Sequence, residues 1–172
     1  MNEGKLPVVA AFERVSEERF LADFSDTFPE KNAAAALSAV TLPRRATVGS
    51  AGYDFVLPCD LTLAPGETAK IPTGIRARIA DGWVLCVFPR SGLGFKYRLQ
   101  LDNTVGIIDS DYYGSDNEGH IFIKITNDGK AGKILELHAG DGFAQGIFLP
   151  FGVTEDDDAT AVRNGGMGST SK

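Results

Sequence analysis

Cysteine is scarce in this chain: two residues in 172, Cys59 and Cys86. Both fall in strand-like segments, and neither belongs to a C-x-x-C pair. A structural disulfide is disfavoured, and buried free thiols are the expectation. Histidine is equally scarce. His120 and His138 lie near no cluster of metal-type donors, so no zinc site is expected. Long apolar runs are missing as well, and no segment is long enough to span a membrane as a helix. The opening residues, MNEGKLPVVAAFERVSEERF, interrupt their apolar stretch with charges and do not form a secretory signal. The default expectation is therefore a cytoplasmic location. An excess of positive charge is also lacking. Seventeen Lys and Arg face 23 Asp and Glu, and the net charge of −6 argues against a nucleic-acid surface. A small phosphorylated ligand stays compatible, provided that local arginines or a divalent cation offset the protein's own field.

What is present suits one domain with a core of its own. Residues 8–15, VVAAFERV, read as an opening strand. SEERFLADF, 16–24, reads as a short helix capped by Ser16, with Glu17 and Glu18 in its first turn. Phe20, Leu21 and Phe24 form its apolar face. PEKNAAAALSAV adds a helical turn or a loop. From Tyr53 to Phe151, short β-prone runs alternate with turn signals. AKIPTGIRARI and WVLCVFP flank Asp81-Gly82, the pattern of a hairpin. LAPGE and NDGKAGK are turns. HIFIKITN sets Ile121, Ile123 and Ile125 against Phe122, Lys124 and Thr126, as in a half-buried strand. The expected fold is all-β, a distorted jelly roll or barrel with a short helical N-terminal segment. Three regions are expected: an N-terminal strand and helix extension over 1–48, the β core over 49–153, and a flexible linker with a glycine-rich lid over 154–172.

Several stretches could carry chemistry. VGIIDSDYYG, 105–114, drives two apolar residues inward and follows them with Asp109 and Asp111. A carboxylate at the tip of a buried hairpin can orient water or metal; the same letters also make a solvated turn. FPRSGLGFKY, 88–97, offers Arg90 for phosphate, the Ser91 hydroxyl and two glycines for close approach, or else an ordinary turn. GSAGYDF, 49–55, places Asp54 after small residues, and GDGFAQGIF places Gln145 on a strand. RNGGMGST, 163–170, has a phosphate-cradling composition. It lacks the lysine, the preceding strand and the following helix of a P-loop.

Taken in their order along the chain, the five stretches resemble the five motifs of the trimeric deoxyuridine triphosphatases (dUTP pyrophosphatases). The resemblance runs from Gly49 to Thr170 and leaves out the N-terminal region and the SDNEGH that follows Gly114. It implies cleavage of dUTP to dUMP and pyrophosphate, which limits uracil in DNA and supplies dUMP. It also implies three jelly-roll subunits with shared sites, and magnesium arriving on the triphosphate. Carried over residue by residue, Asp109 orients and deprotonates the attacking water, and Asp54 holds waters of the magnesium shell. Arg90, Ser91 and Gly92 grip phosphates, and Gln145 reaches the α-phosphate. Asn103, Gly106 and Ile108 read uracil, with Phe122 closing the pocket by its backbone. Tyr112 packs against the deoxyribose and excludes a 2′-hydroxyl. From the tail, Arg163 adds charge, Gly168 lets the backbone wrap, and Ser169 and Thr170 donate to the terminal phosphates.

Two departures stand out. Met167 occupies a place where the family carries phenylalanine, so a softer contact replaces a flat stack on the base. The chain also ends in STSK, where the pattern continues with glycine. Two rivals share the fold. A dCTP deaminase requires a glutamate where this chain has Lys124. A non-catalytic regulatory module would bind dUTP, or a protein partner, without turnover.

Overall fold

A computed structural model describes residues 6–130, 132–163 and 165. The chain opens with β1 (Ala10–Arg14), α1 (Glu17–Thr27) and α2 (Ala33–Ala39). Ser16 caps α1 as expected: its Oγ accepts the Arg19 N–H at 3.1 Å. Asn32 caps α2 in the same way, accepting from Ala35 at 3.0 Å. The alanine run that left helix or loop open is thus a short helix. Phe20 and Phe24 bury the inner face of α1, and their rings stack.

Then follow β2 (Arg44–Arg45), β3 (Tyr53–Val56), β4 (Leu61–Leu63), β5 (Thr68–Pro72), β6 (Ile75–Ile79) and β7 (Trp83–Pro89). A short helix, α3 (Ser91–Tyr97), leads to β8 (Leu99–Leu101) and β9 (Gly106–Ile108). A 3-10 helix (Ser110–Gly114) precedes β10 (Phe122–Asn127), β11 (Leu135–Leu137) and β12 (Gly142–Pro150). The main sheet runs β2-β3-β12-β7-β9. Smaller sheets run β5-β10-β8, β1-β6 and β11-β4, and the paired strands are antiparallel. Phe55, Leu85 and Phe143 from the main sheet meet Ile71, Ile121 and Ile125 in one core. The all-β jelly-roll expectation holds. Along HIFIKITN the three isoleucines are buried, whereas Phe122, Lys124 and Thr126 are not.

Two strand expectations need correction. AKIPTGIRARI is not one strand. It breaks at Thr73-Gly74, where Gly74 adopts φ +74°. The Thr73 hydroxyl accepts the Ile75 N–H and donates to the Ile121 carbonyl, so the break is hydrogen-bonded and not frayed. Nor do β6 and β7 form a hairpin across Asp81-Gly82. The turn is tight, with Trp83 N–H reaching the Ala80 carbonyl at 3.2 Å. Yet β6 pairs with β1, whereas β7 pairs with β12 and β9. A turn signal reports local backbone geometry; which sheet a strand joins follows from where its apolar face is buried.

Both cysteines are free: Cys86 is buried in β7 and Cys59 is half-buried after β3. Burial pushes both thiols up. Among the described residues, no helix is long and apolar enough to cross a membrane. Residues 154–162 are exposed and carry no regular element.

Candidate active site

The strand order β3-β12-β7 assembles one cavity. Asp54 on β3 stands directly across from Gln145 on β12, and β7 ends at Pro89 just before Arg90. The Arg90 Nε lies 3.4 Å from Asp54 Oδ1, and the Gln145 amide donates to the Pro89 carbonyl at 3.1 Å. These residues, with Ser91 and Gly92, line a space of about 600 Å³. Gly142 is part of the wall and leaves room for the Arg90 guanidinium. A Cβ there would lie 2.6 Å from an Arg90 guanidinium nitrogen. The PRSGLG stretch, read as a phosphate loop or a turn, is in fact the start of α3, with Arg90 at its N-cap.

A second cavity, about 260 Å³, opens where two sheets splay apart. On one side lies β9, the last strand of the main sheet, whose outer edge pairs with no described strand. On the other lies the start of β10. There β8 pairs only with Ile125 to Asn127, leaving Phe122 without a ladder partner on that side. Asn103, Gly106, Ile108 and Phe122 line this space together. Its volume is below that of most ligand pockets, which suits a single-ring base more than a whole nucleotide. Its lining is mostly apolar, with Val87, Leu101, Ile121 and Ile123 beside the residues named above. The turn before β9 holds Thr104 at φ +66°, a sparsely populated conformation for a β-branched residue.

Asp109 follows β9 immediately and precedes the 3-10 helix. The expected buried hairpin tip is corrected here: β9 pairs with β7, not with β10, so the carboxylate stands at a sheet-to-sheet crossing. Arg163 forks across Asp109 Oδ2 at 2.5 Å and Asp111 Oδ1 at 2.9 Å. Its guanidinium lies 5.9 Å from the Tyr112 ring centre. Arg163 therefore meets carboxylates and does not line the Arg90 cavity. Tyr112 is buried, and its hydroxyl donates to the His120 carbonyl at 2.7 Å. Burial pushes that phenol up.

The expected residues thus fall into three groups. Asp54, Arg90, Ser91, Gly92 and Gln145 line one cavity; Asn103, Gly106, Ile108 and Phe122 line another; Asp109, Tyr112 and Arg163 cluster beside β9. In the single chain the two cavities share no lining residue. Met167, Gly168, Ser169 and Thr170 lie outside the described residues. Sequence reasoning missed the pair of Asp102 and Lys124 at the rim of the smaller cavity, 2.8 Å apart. Hydrogen bonds from Lys124 and Thr126 hold the Asp102 carboxyl below its ordinary range. Opposite charges on facing strands were readable, but the register that joins them was not.

The dUTPase family model matches residues 38–171. Among curated proteins, the chain is 41% identical over 134 residues to a deoxyuridine 5′-triphosphate nucleotidohydrolase of Lactococcus lactis. That match covers 76% of this chain and 88% of the relative. It is 40% identical over 139 residues to the protein of the same name from Tolumonas auensis, covering 76% and 87%. Among solved structures, the dUTPase of Streptococcus mutans superposes with a TM-score of 0.63 at 32% identity, over 84% of this chain and 98% of that one. The chain belongs to the dUTPase family.

Proposed function

We propose that the chain hydrolyses dUTP to dUMP and pyrophosphate by water attack on the α-phosphate, in sites shared among three copies. One observation carries this reading. β9 lines the smaller cavity through Gly106 and Ile108 and delivers Asp109 at the next position. A base held against β9 therefore sits at a fixed offset from a carboxylate. The Asp109 carboxylate accepts the proton of the attacking water.

Base choice follows from the edges of two splayed strands. Uracil presents a donor and acceptors along one side, which main-chain groups at Gly106 and Ile108 and the Asn103 amide match. Cytosine reverses two of these groups, N3 and the substituent on C4, and would leave buried partners unpaired. Phe122 closes the far side, and Tyr112 meets the deoxyribose where a 2′-hydroxyl would clash. The triphosphate takes the larger cavity, with Arg90 and Ser91 on its oxygens and Gln145 toward the α-phosphate. The two cavities share no lining residue, and in this reading neighbouring copies of a homotrimer bring them together in three sites. Arg163, Met167, Gly168, Ser169 and Thr170 complete the enclosure from the tail.

Among the described residues, no three histidine, cysteine or carboxylate groups are arranged to hold a metal ion directly. Asp54, partly exposed on the larger cavity, fits instead a magnesium ion carried by the triphosphate and met through its water shell. Bound there, magnesium neutralises charge that builds on the leaving pyrophosphate. Removal of the substrate dUTP keeps uracil out of DNA, and the product dUMP becomes available for thymidylate synthesis. The deaminase alternative is disfavoured because the position where it needs a glutamate holds Lys124, which is paired with Asp102.

Incubation with each deoxynucleoside triphosphate and with UTP, in magnesium, tests the reading. Pyrophosphate release clearly favouring dUTP is expected; absence of that preference ends it. Binding of dUTP with no pyrophosphate release would indicate the non-catalytic module instead. The larger cavity has its own test. Gly142→Ala displaces the flexible Arg90 guanidinium without crowding backbone. It should lower kcat/KM for dUTP by roughly tenfold with little change in the urea midpoint. An unchanged kcat/KM would remove Arg90 from phosphate contact.

A further inference from the structure

Ser115–His120 belongs to none of the five motifs, yet it carries a buried titratable group for which the proposed chemistry has no use. The His120 side chain is fully buried. Its Nε2 accepts the Gly74 N–H at 2.8 Å, so the ring proton sits on Nδ1, 2.6 Å from Asp23 Oδ2 on α1. Arg19, one turn earlier on α1, pairs with the same carboxylate. Burial holds the His120 pKa below the ordinary value, so this ring is neutral and locked at both nitrogens.

The other face of His120 looks toward the nucleoside end of the site. Its carbonyl accepts the Tyr112 hydroxyl, and its ring centre lies 4.5 Å from that of Phe122. Asn117 of the same segment donates to the Tyr112 hydroxyl at 2.8 Å. Glu118 accepts both the N–H and the hydroxyl of Ser16, which ties the segment to the start of α1. At Gly119, φ is +69° and a Cβ would stand 2.7 Å from the Tyr113 Cα. The segment is thus pressed onto the two tyrosines with no room for a side chain between.

We propose that His120, held by Asp23, is a positioning residue for the substrate: it fixes Tyr112 and Phe122, and through them the fit of deoxyribose and base. The inference rests on the dUTP reading for the roles of those two residues. A side chain that touches no substrate acts here by setting the place of two that do. Its loss should therefore weaken ground-state fit and discrimination more than the chemical step.

Kinetics of His120→Gln and Asp23→Ala with dUTP and UTP, together with affinity for a non-hydrolysable dUTP analogue, provide the test. Expected are a KM and a Kd raised roughly tenfold, a kcat within about twofold, and a dUTP-over-UTP preference reduced by a similar factor. Folded variants with a lower urea midpoint but unchanged KM, Kd and preference would overturn the inference and leave a plain core anchor. Should neither variant fold, Asn117→Ala removes the second brace on the Tyr112 hydroxyl, together with the side chain's bonds to the His120 carbonyl and the Gly119 N–H. It must shift the same three quantities in the same direction, and unchanged values overturn the inference. A wild-type protein that neither binds nor cleaves dUTP would sink the functional reading first, an outcome separate from these.

Discussion

Asp109→Asn is expected to bind dUTP with affinity close to that of the wild type while turnover falls about a thousandfold. The amide keeps the size and the hydrogen-bonding reach of the carboxylate but cannot take a proton from water. Asp109 stands half exposed after β9, outside the base cavity, so the substitution leaves the lining intact. The fork with Arg163 adds a consequence: the arginine keeps Asp111 as a partner at 2.9 Å and is not released. Burst and steady-state measurements on pyrophosphate, with calorimetry for binding, separate the two quantities. Near-normal turnover would take Asp109 out of proton transfer.

Truncation after Val162 is expected to nearly abolish turnover while leaving the fold and the oligomer unchanged. The β body is complete by Pro150, and residues 154–162 make no element that the core depends on. What the truncation removes is a guanidinium beside Asp109 and every donor of RNGGMGST. Without closure, water reaches the reacting phosphate and the donors that follow charge onto pyrophosphate are gone. Chains truncated in this way, refolded together with Asp109→Asn chains, should recover part of the activity. Each mixed trimer can build a site with an intact Asp109 from one copy and an intact tail from another. Verified mixed trimers without activity would mean that each site belongs to one chain.

Local order was easier to read than membership of a sheet. The α1 cap at Ser16 and the isoleucine alternation of β10 depend on neighbours within a few residues, and both were legible. The motif residues of the two cavities were legible for a different reason, as they match a family pattern at positions the structure gathers. The false hairpin at Asp81-Gly82 came from the same local reasoning. Its turn is real, but burial of opposite faces sends β6 and β7 to different sheets. PRSGLG was not read as helix because two glycines weaken that propensity; Leu93 and Tyr97 packing on the core outweigh it. His120 and Asp23 lie 97 positions apart, so nothing in either segment announces the other. A sharper clue was available in SDNEGH itself: an inserted segment holding one of only two histidines in the chain.

The free outer edge of β9 bears on solubility as well as on recognition. Three residues that pair with no described strand on that side are a template onto which another strand can add, the start of self-association. A pyrimidine that hydrogen-bonds along that edge is, for the sheet, a strand one ring wide. On the proposed reading, bound nucleotide caps this edge, and the protein without substrate is the form expected to self-associate more readily.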